Sequence, residues 1–205
     1  MRDIGDILSL APVVPVLVIE RVADAVPIAE ALVDGGLPVL EVTLRTPAAL
    51  DSIRAMATVP GAVVGAGTVL NRSQFAQAVD AGAQFAVSPG LTAALAEVAG
   101  AGPIPLLPGV GTASEVMHAL DHGFTTVKYF PAEALGGIPA LNALASVFGS
   151  VRFCPTGGIR PDTAADWLAI PSVLCVGGSW LVPAGSAIDR QAIVVRARQA
   201  ASLRS

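Results

Sequence analysis

Residues 38–67 read PVLEVTLRTPAALDSIRAMATVPGAVVGAG. The two ends of this stretch, 38–44 and 62–67, are runs of apolar residues with little interruption, the pattern of strands covered on both faces. Between them, residues 47–58 carry apolar side chains at helical spacing. Thr46 followed by Pro47 reads as an N-cap and a first-turn proline. One strand, one helix and a second strand in about thirty residues is the size of a βαβ unit.

The same alternation continues in both directions. Strands are predicted at 13–19, 38–44, 62–67, 85–89, 105–109, 125–131, 152–157 and 173–177. Helical patterns lie near 24–34, 47–58, 73–82, 92–99, 113–122, 138–148, 162–169 and 189–202, and Thr112-Ala-Ser-Glu115 reads as a capping box. Eight strand–helix units predict a single (β/α)8 barrel domain over residues 1–205. A doubly wound open sheet is the alternative, although it more often stops at five or six strands. A short helix around residues 3–9 is expected to cover the barrel bottom.

Composition narrows the function classes. The chain has 205 residues, 53% of them apolar and 14% charged, which excludes a disordered polymer. A net charge of −4 argues against a nucleic-acid partner. Two cysteines cannot build a disulfide framework, so the expected compartment is the cytoplasm. Residues 168–188 carry no charge, yet Pro171, Pro183, Gly177, Gly178, Gly185 and three serines interrupt them. They are read as soluble rather than membrane-spanning. Asp3 and Asp6 likewise spoil a signal-peptide reading of the N-terminus.

In a barrel the chemistry sits at the C-terminal ends of strands. The second predicted strand places Glu41, Thr43 and Arg45 on one face and Leu40, Val42 and Leu44 on the other. The apolar set belongs under the helices, so the polar set faces the barrel mouth. A structural Glu41–Arg45 ion pair is the plainer explanation of that face. In the sixth predicted strand stands Lys128, the only lysine beside eleven arginines. Arginine stays protonated, whereas a lysine amine can lose its proton and attack a carbonyl. Burial and a nearby Arg45 are expected to lower its pKa. The plainer explanation is a packed stem whose ammonium pairs with Glu41. Strands two and six are both even and share side-chain layers, so Glu41 and Lys128 are expected to meet. An acid/base beside an amine nucleophile is the core of imine-forming lyase chemistry.

Thr156-Gly157-Gly158 ends the seventh predicted strand and Gly177-Gly178-Ser179 the eighth. Loops at these two ends commonly grip phosphate through backbone N–H groups and a following helix N-terminus. Thr68 could offer a hydroxyl to a carboxylate, and Ser88-Pro89-Gly90 reads as a turn. His118 and His122 are four apart on a helix, but no third ligand is apparent, so no metal site is assigned. Cys154 and Cys175 read as buried core thiols.

The runs Leu40-Glu-Val-Thr-Leu-Arg-Thr46, Gly65-Ala-Gly-Thr-Val69, Val87-Ser-Pro-Gly90, Lys128-Tyr-Phe-Pro-Ala-Glu133, Phe153-Cys-Pro-Thr-Gly-Gly-Ile159 and Val176-Gly-Gly-Ser-Trp-Leu181 resemble those of the 2-keto-3-deoxy-6-phosphogluconate aldolase family, also called 4-hydroxy-2-oxoglutarate aldolases. The resemblance runs from about Val13 to Pro183. It implies a metal-free, cofactor-free class I aldolase of the Entner–Doudoroff pathway, typically a homotrimer, whose partners are a phosphorylated keto acid and pyruvate. Lys128 matches the Schiff-base lysine and Glu41 the general acid/base. Arg45 and Thr68 match the grip on the pyruvate carboxylate, and Pro89 and Phe130 match walls of that pocket. Thr156, Gly157, Gly158, Gly178 and Ser179 match positions around the distal hydroxyls and phosphate.

A sister family acts on the 6-phosphogalactonate epimer with the same lysine and glutamate; the Cys-Pro-Thr-Gly-Gly and Gly-Gly-Ser-Trp-Leu runs favour the gluconate branch. Some relatives carry an arginine near the end of the first strand, where this chain has Val18 and Ile19. Tyr129 stands where phenylalanine is common, and strand parity points it outward. Two other classes stay open on the same residues. One is a phosphosugar isomerase or epimerase using Glu41 as base with Lys128 purely electrostatic. The other is a non-catalytic phosphosugar-binding subunit.

Overall fold

Parallel strands that are apolar on both faces need a covering layer on each side. The chain supplies one layer of helices and one inner plug. The structure is a computed structural model that describes residues 3–185 and 187–204. The first half runs α1 (Ile4–Leu8), β1 (Val13–Leu17), α2 (Ala25–Asp34), β2 (Val39–Thr43), α3 (Ala49–Met56), β3 (Val63–Gly67), α4 (Arg72–Asp80), β4 (Phe85–Val87) and α5 (Ala93–Gly100). The second half runs β5 (Leu106–Leu107), β6 (Gly109–Val110), α6 (Ala113–Asp121), β7 (Thr126–Tyr129), α7 (Gly137–Val147), β8 (Arg152–Pro155), α8 (Ala164–Leu168), β9 (Val176–Gly178) and α9 (Arg190–Ala201). No helix among the described residues is long and apolar enough to cross a membrane.

The strands form a six-stranded parallel sheet in the order β5-β4-β3-β2-β1-β9 and a three-stranded parallel sheet in the order β6-β7-β8. Where one closed eight-stranded sheet was expected, two sheets stand side by side. The fifth predicted strand, 105–109, is split at Pro108, which has no N–H to give to a ladder. Its carbonyl still accepts the Lys128 amide at 2.8 Å. On the other side, isolated parallel bridges Phe153↔Val173 and Thr156↔Gly177 join β8 to β9 and the segment leading into it.

Alternation along each strand separates two cores. Leu40, Val42, Val127, Tyr129 and Phe153 face outward, under the helices. Val14, Val39, Val63, Phe85, Leu107 and Cys154 face inward, where Ile4, Ile7 and Leu8 of α1 join them. The expected N-terminal cover is therefore in place, and each such aliphatic side chain contributes about 1.5–3 kcal/mol by burial.

Two local expectations about helix starts part company. Thr112 and Glu115 make the full capping box, with Glu115 also accepting from the Gly111 amide at 2.7 Å. Thr46 does not cap α3: its hydroxyl donates to the Ile19 carbonyl, and the helix begins after Ala48. A tertiary acceptor on the neighbouring strand end outcompetes the local amides there.

Candidate active site

The inner face changes character along the strands. One residue pair above the apolar plug, β2 presents Glu41 and β7 presents Lys128, both buried. Lys128 Nζ donates to Glu41 Oε1 at 3.2 Å, with the side chains only 8% and 4% exposed. The two strands belong to different sheets, so the contact joins residues 87 apart in sequence. A buried ion pair is a weak device for stability, because desolvating both groups offsets their attraction. Its retention in the protein interior therefore points to chemistry.

Glycines make room for this pair and for the residues packed around it. Glu41 is in register with Gly65, and Lys128 with Gly109. A Cβ on Gly67 would collide with the Glu41 carboxylate, at 2.6 Å from its Cγ and 2.8 Å from its Cδ. A Cβ on Gly109 would strike the Pro89 carbonyl, so the bare backbone lets Pro89 close in beside the lysine strand. The sequence reading missed this packing, in which Gly67 clears the Glu41 side chain, Gly109 admits Pro89 and Gly65 clears the Phe85 ring. Its signal was three glycines inside apolar strands, where they ordinarily weaken pairing. The Phe130 ring lies 5.4 Å from Lys128 Nζ and forms an apolar wall with cation–π geometry.

Beside the pair opens a cleft of about 150 Å³ bounded by Val16, Arg45, Phe130, Thr156, the Gly157–Gly158 turn and Ser179. Arg45 is exposed and makes no ion pair among the described residues, so the structural Glu41–Arg45 pair does not form. Thr43 is buried, but its hydroxyl donates to the Leu17 carbonyl at 2.9 Å and is not free for a ligand. Gly157 and Gly158 have φ of +103° and +83°, which few side-chain-bearing residues adopt. The turn rests on the Phe130 ring, 3.4 Å from where a Gly157 Cβ would stand. Arg160, two residues on, is engaged by Asp162 at 3.0 Å. That contact raises the guanidinium and lowers the carboxyl from their usual pKa values. Arg45 is thus the unengaged cation at the cleft.

Two expected positions stand apart. Gly178 is buried, and its missing side chain makes room for the Trp180 ring rather than bounding the cleft; its neighbours Gly177 and Ser179 reach it. α8 has five residues and starts at Ala164, so no helix N-terminus follows directly on the glycine turn. Thr68 is half-buried, next to Gly67, with φ +59° and a hydroxyl unpaired among the described residues. For a β-branched residue this is a strained conformation, of the kind that clusters at functional sites.

Cys154 and Cys175 are buried and not joined in a disulfide, with Sγ atoms 3.4 Å apart on the inner face. His118 and His122 form an edge-to-face pair at 4.6 Å, and the His122 ring contacts the His118 carbonyl. No group of three or more His, Cys, Asp or Glu among the described residues could hold a metal. The assembled site offers a lysine nitrogen hydrogen-bonded to a carboxylate, an aromatic wall, an unengaged guanidinium and a glycine turn. Such a set can take up a carbonyl compound with an anionic end.

Comparison with known proteins adds an independent line. Residues 4–195 match the family described as KDPG and KHG aldolase, the acronyms standing for 2-keto-3-deoxy-6-phosphogluconate and 4-hydroxy-2-oxoglutarate. The chain is 60% identical over 204 residues to the 2-dehydro-3-deoxy-phosphogluconate aldolase of Zymomonas mobilis, covering 100% of this chain and 98% of that protein. A crystal structure of the Zymomonas mobilis 2-keto-3-deoxy-6-phospho-gluconate aldolase superposes with a TM-score of 0.97, covering 99% of this chain and 98% of that one. The KDPG aldolase of Legionella pneumophila, with pyruvate captured as a covalent carbinolamine, is 45% identical, with a TM-score of 0.92 over 97% of this chain and 98% of that one.

Proposed function

The chain belongs to the KDPG and KHG aldolase family, and on that premise we propose the reaction and the role of each residue. It is a carbon–carbon lyase that cleaves KDPG to pyruvate and glyceraldehyde 3-phosphate through a lysine Schiff base. The gluconate epimer is favoured over the galactonate one by the 60% identity to the Zymomonas enzyme. Cleavage of 4-hydroxy-2-oxoglutarate is a second activity of the same site.

The observation that carries the mechanism is the chain's only lysine, buried 3.2 Å from a buried glutamate. In the resting pair a proton passes from Lys128 Nζ to Glu41, leaving a neutral amine. Nζ attacks C2 of the keto acid, and Glu41 returns the proton to the resulting hydroxyl, which leaves as water. The protonated imine then withdraws electrons as Glu41, again a carboxylate, takes the proton of the C4 hydroxyl. The C3–C4 bond breaks, the aldehyde departs and an enamine remains. Glu41 protonates C3, and water hydrolyses the imine to pyruvate and free Lys128. Arg45 and Thr68 hold the pyruvate carboxylate and Phe130 and Pro89 wall the pocket, which sets C2 against the amine. Thr156, Gly157, Gly158 and Ser179 receive the distal hydroxyls and phosphate.

We also read the two sheets as one (β/α)8 barrel in a single domain, with β5 and β6 as one strand broken at Pro108 and β8 closing on β9 through its bridges. In that ring β2 and β7 stand opposite each other, and the Lys128–Glu41 contact between them supports the reading. A cofactor-free homotrimer in the cytoplasm completes the assignment, on family likeness. The test is borohydride reduction in the presence of pyruvate, followed by peptide mapping. A reduced adduct on Lys128, lost together with turnover in Lys128→Ala, is the expected result. A folded protein saturated with pyruvate that gives no adduct would overturn the mechanism and bring the isomerase reading forward.

A further inference from the structure

We propose that Glu133 is a positioning residue that fixes the Gly157–Gly158 turn in the form that accepts the substrate's phosphate. The proposal rests on the assignment of that turn above. Glu133 belongs to the loop between β7 and α7, five residues past Lys128, and it touches the turn in two ways. Its backbone N–H donates to the Gly157 carbonyl at 3.1 Å. Its side-chain stem lies directly against Gly158, whose Cβ, if present, would stand 2.6 Å from Glu133 Cγ and 2.7 Å from Cβ. The glycine is therefore needed twice over, for its φ of +83° and for this approach.

The other end of the side chain is anchored. Glu133 Oε1 accepts from Trp167 Nε1 at 3.2 Å. Trp167 is 1% exposed and sits on α8, the helix that follows the turn. The indole is itself packed near the Tyr129 ring, at 6.5 Å between centroids. One carboxylate thus links the glycine turn to the element behind it and, through Tyr129, to the strand that carries Lys128. A carboxylate is an odd neighbour for a phosphate, since like charges repel. The indole N–H draws it away from the turn. The uncharged acceptor of a glutamine would serve the same contact.

The test compares KDPG with its dephosphorylated counterpart, 2-keto-3-deoxygluconate, by pyruvate release in wild type and three variants. Glu133→Ala is expected to raise the ratio of KM for KDPG to KM for the dephosphorylated acid by about tenfold, the size of one lost hydrogen bond to a charged group. Glu133→Gln restores the wild-type ratio, because it keeps the acceptor. Trp167→Phe, which removes the donor and part of the buried ring, raises the ratio as Glu133→Ala does. An effect of equal size on both substrates, or a glutamine variant that behaves like alanine, would overturn the proposal. A wild-type enzyme that does not favour the phosphorylated acid would instead overturn the phosphate assignment beneath it, and the two failures are distinguishable in one data set.

Discussion

Gly67→Ala is the sharpest perturbation of the amine–carboxylate pair that leaves both functional groups in place. Gly67 ends β3 and is not among the glycines with positive φ, so alanine suits its backbone. The obstacle is Glu41, whose Cγ and Cδ would lie 2.6 Å and 2.8 Å from the new methyl. Carbon atoms settle at about 3.5–4.0 Å, so the carboxylate must retreat by on the order of 1 Å. The 3.2 Å contact with Lys128 cannot survive that retreat unless the lysine follows. A misplacement of this size in a reacting group lowers kcat by about 100-fold. Overpacking costs about 1–3 kcal/mol of stability, each kcal/mol lowering Tm by about 2–4 °C in a chain of this size.

Pyruvate release coupled to lactate dehydrogenase gives kcat, and thermal unfolding by circular dichroism gives Tm. Gly65→Ala is the matched control, because its methyl meets the Phe85 ring rather than Glu41. It is expected to lower Tm comparably and kcat far less. A folded Gly67→Ala enzyme with kcat within about threefold of wild type would refute the claim that the fixed position of Glu41 drives proton transfer.

Ser179→Ala should raise KM for KDPG while leaving KM for its dephosphorylated form in place; parallel changes on both substrates would remove Ser179 from the phosphate contacts. Thr68→Asn relieves the strain of a β-branched residue at φ +59°. It should raise stability by about 1 kcal/mol while weakening pyruvate capture in the borohydride assay, and a lowered Tm would contradict the strain. Tyr129 is the only tyrosine, so the tyrosinate absorbance band reports on it alone. Burial pushes its pKa upward. Both states are neutral below the unfolded pKa of about 10, whereas above it the unfolded chain releases the proton that the folded one retains. Stability should therefore fall as pH rises past that point, and Tyr129→Phe should flatten the decline.

Much of the fold was legible because parallel strands buried on both faces print as apolar runs that no surface helix shares. The meeting of Glu41 and Lys128 was legible from parity alone, since even strands share layers and both residues occupy inward positions. What stayed hidden was spatial. Pro108 lay inside a strand read as continuous over 105–109, and only the pairing partners on either side reveal that the chain breaks there between two sheets. Gly178 and Ser179 are indistinguishable as neighbours in a glycine run until Trp180 is seen to occupy one side of it. Glu133 and Trp167 lie 34 residues apart, and no local pattern announces a hydrogen bond across that distance. Thr46 carried the right letters for a cap, yet a strand-end carbonyl competed for its hydroxyl.

The solitary lysine has a use apart from the role proposed for it. An endoprotease that cleaves only after lysine has a single site in this chain, and that site lies in the middle of β7 with 6% of its surface accessible. Cleavage into two fragments can occur only when β7 leaves its sheet, so the nicking rate reports how often the interior opens. If pyruvate is captured on Lys128 as proposed, reduction abolishes the site, and a chain so marked stays whole even when fully denatured. One digestion of a denatured sample therefore counts the molecules that had reacted.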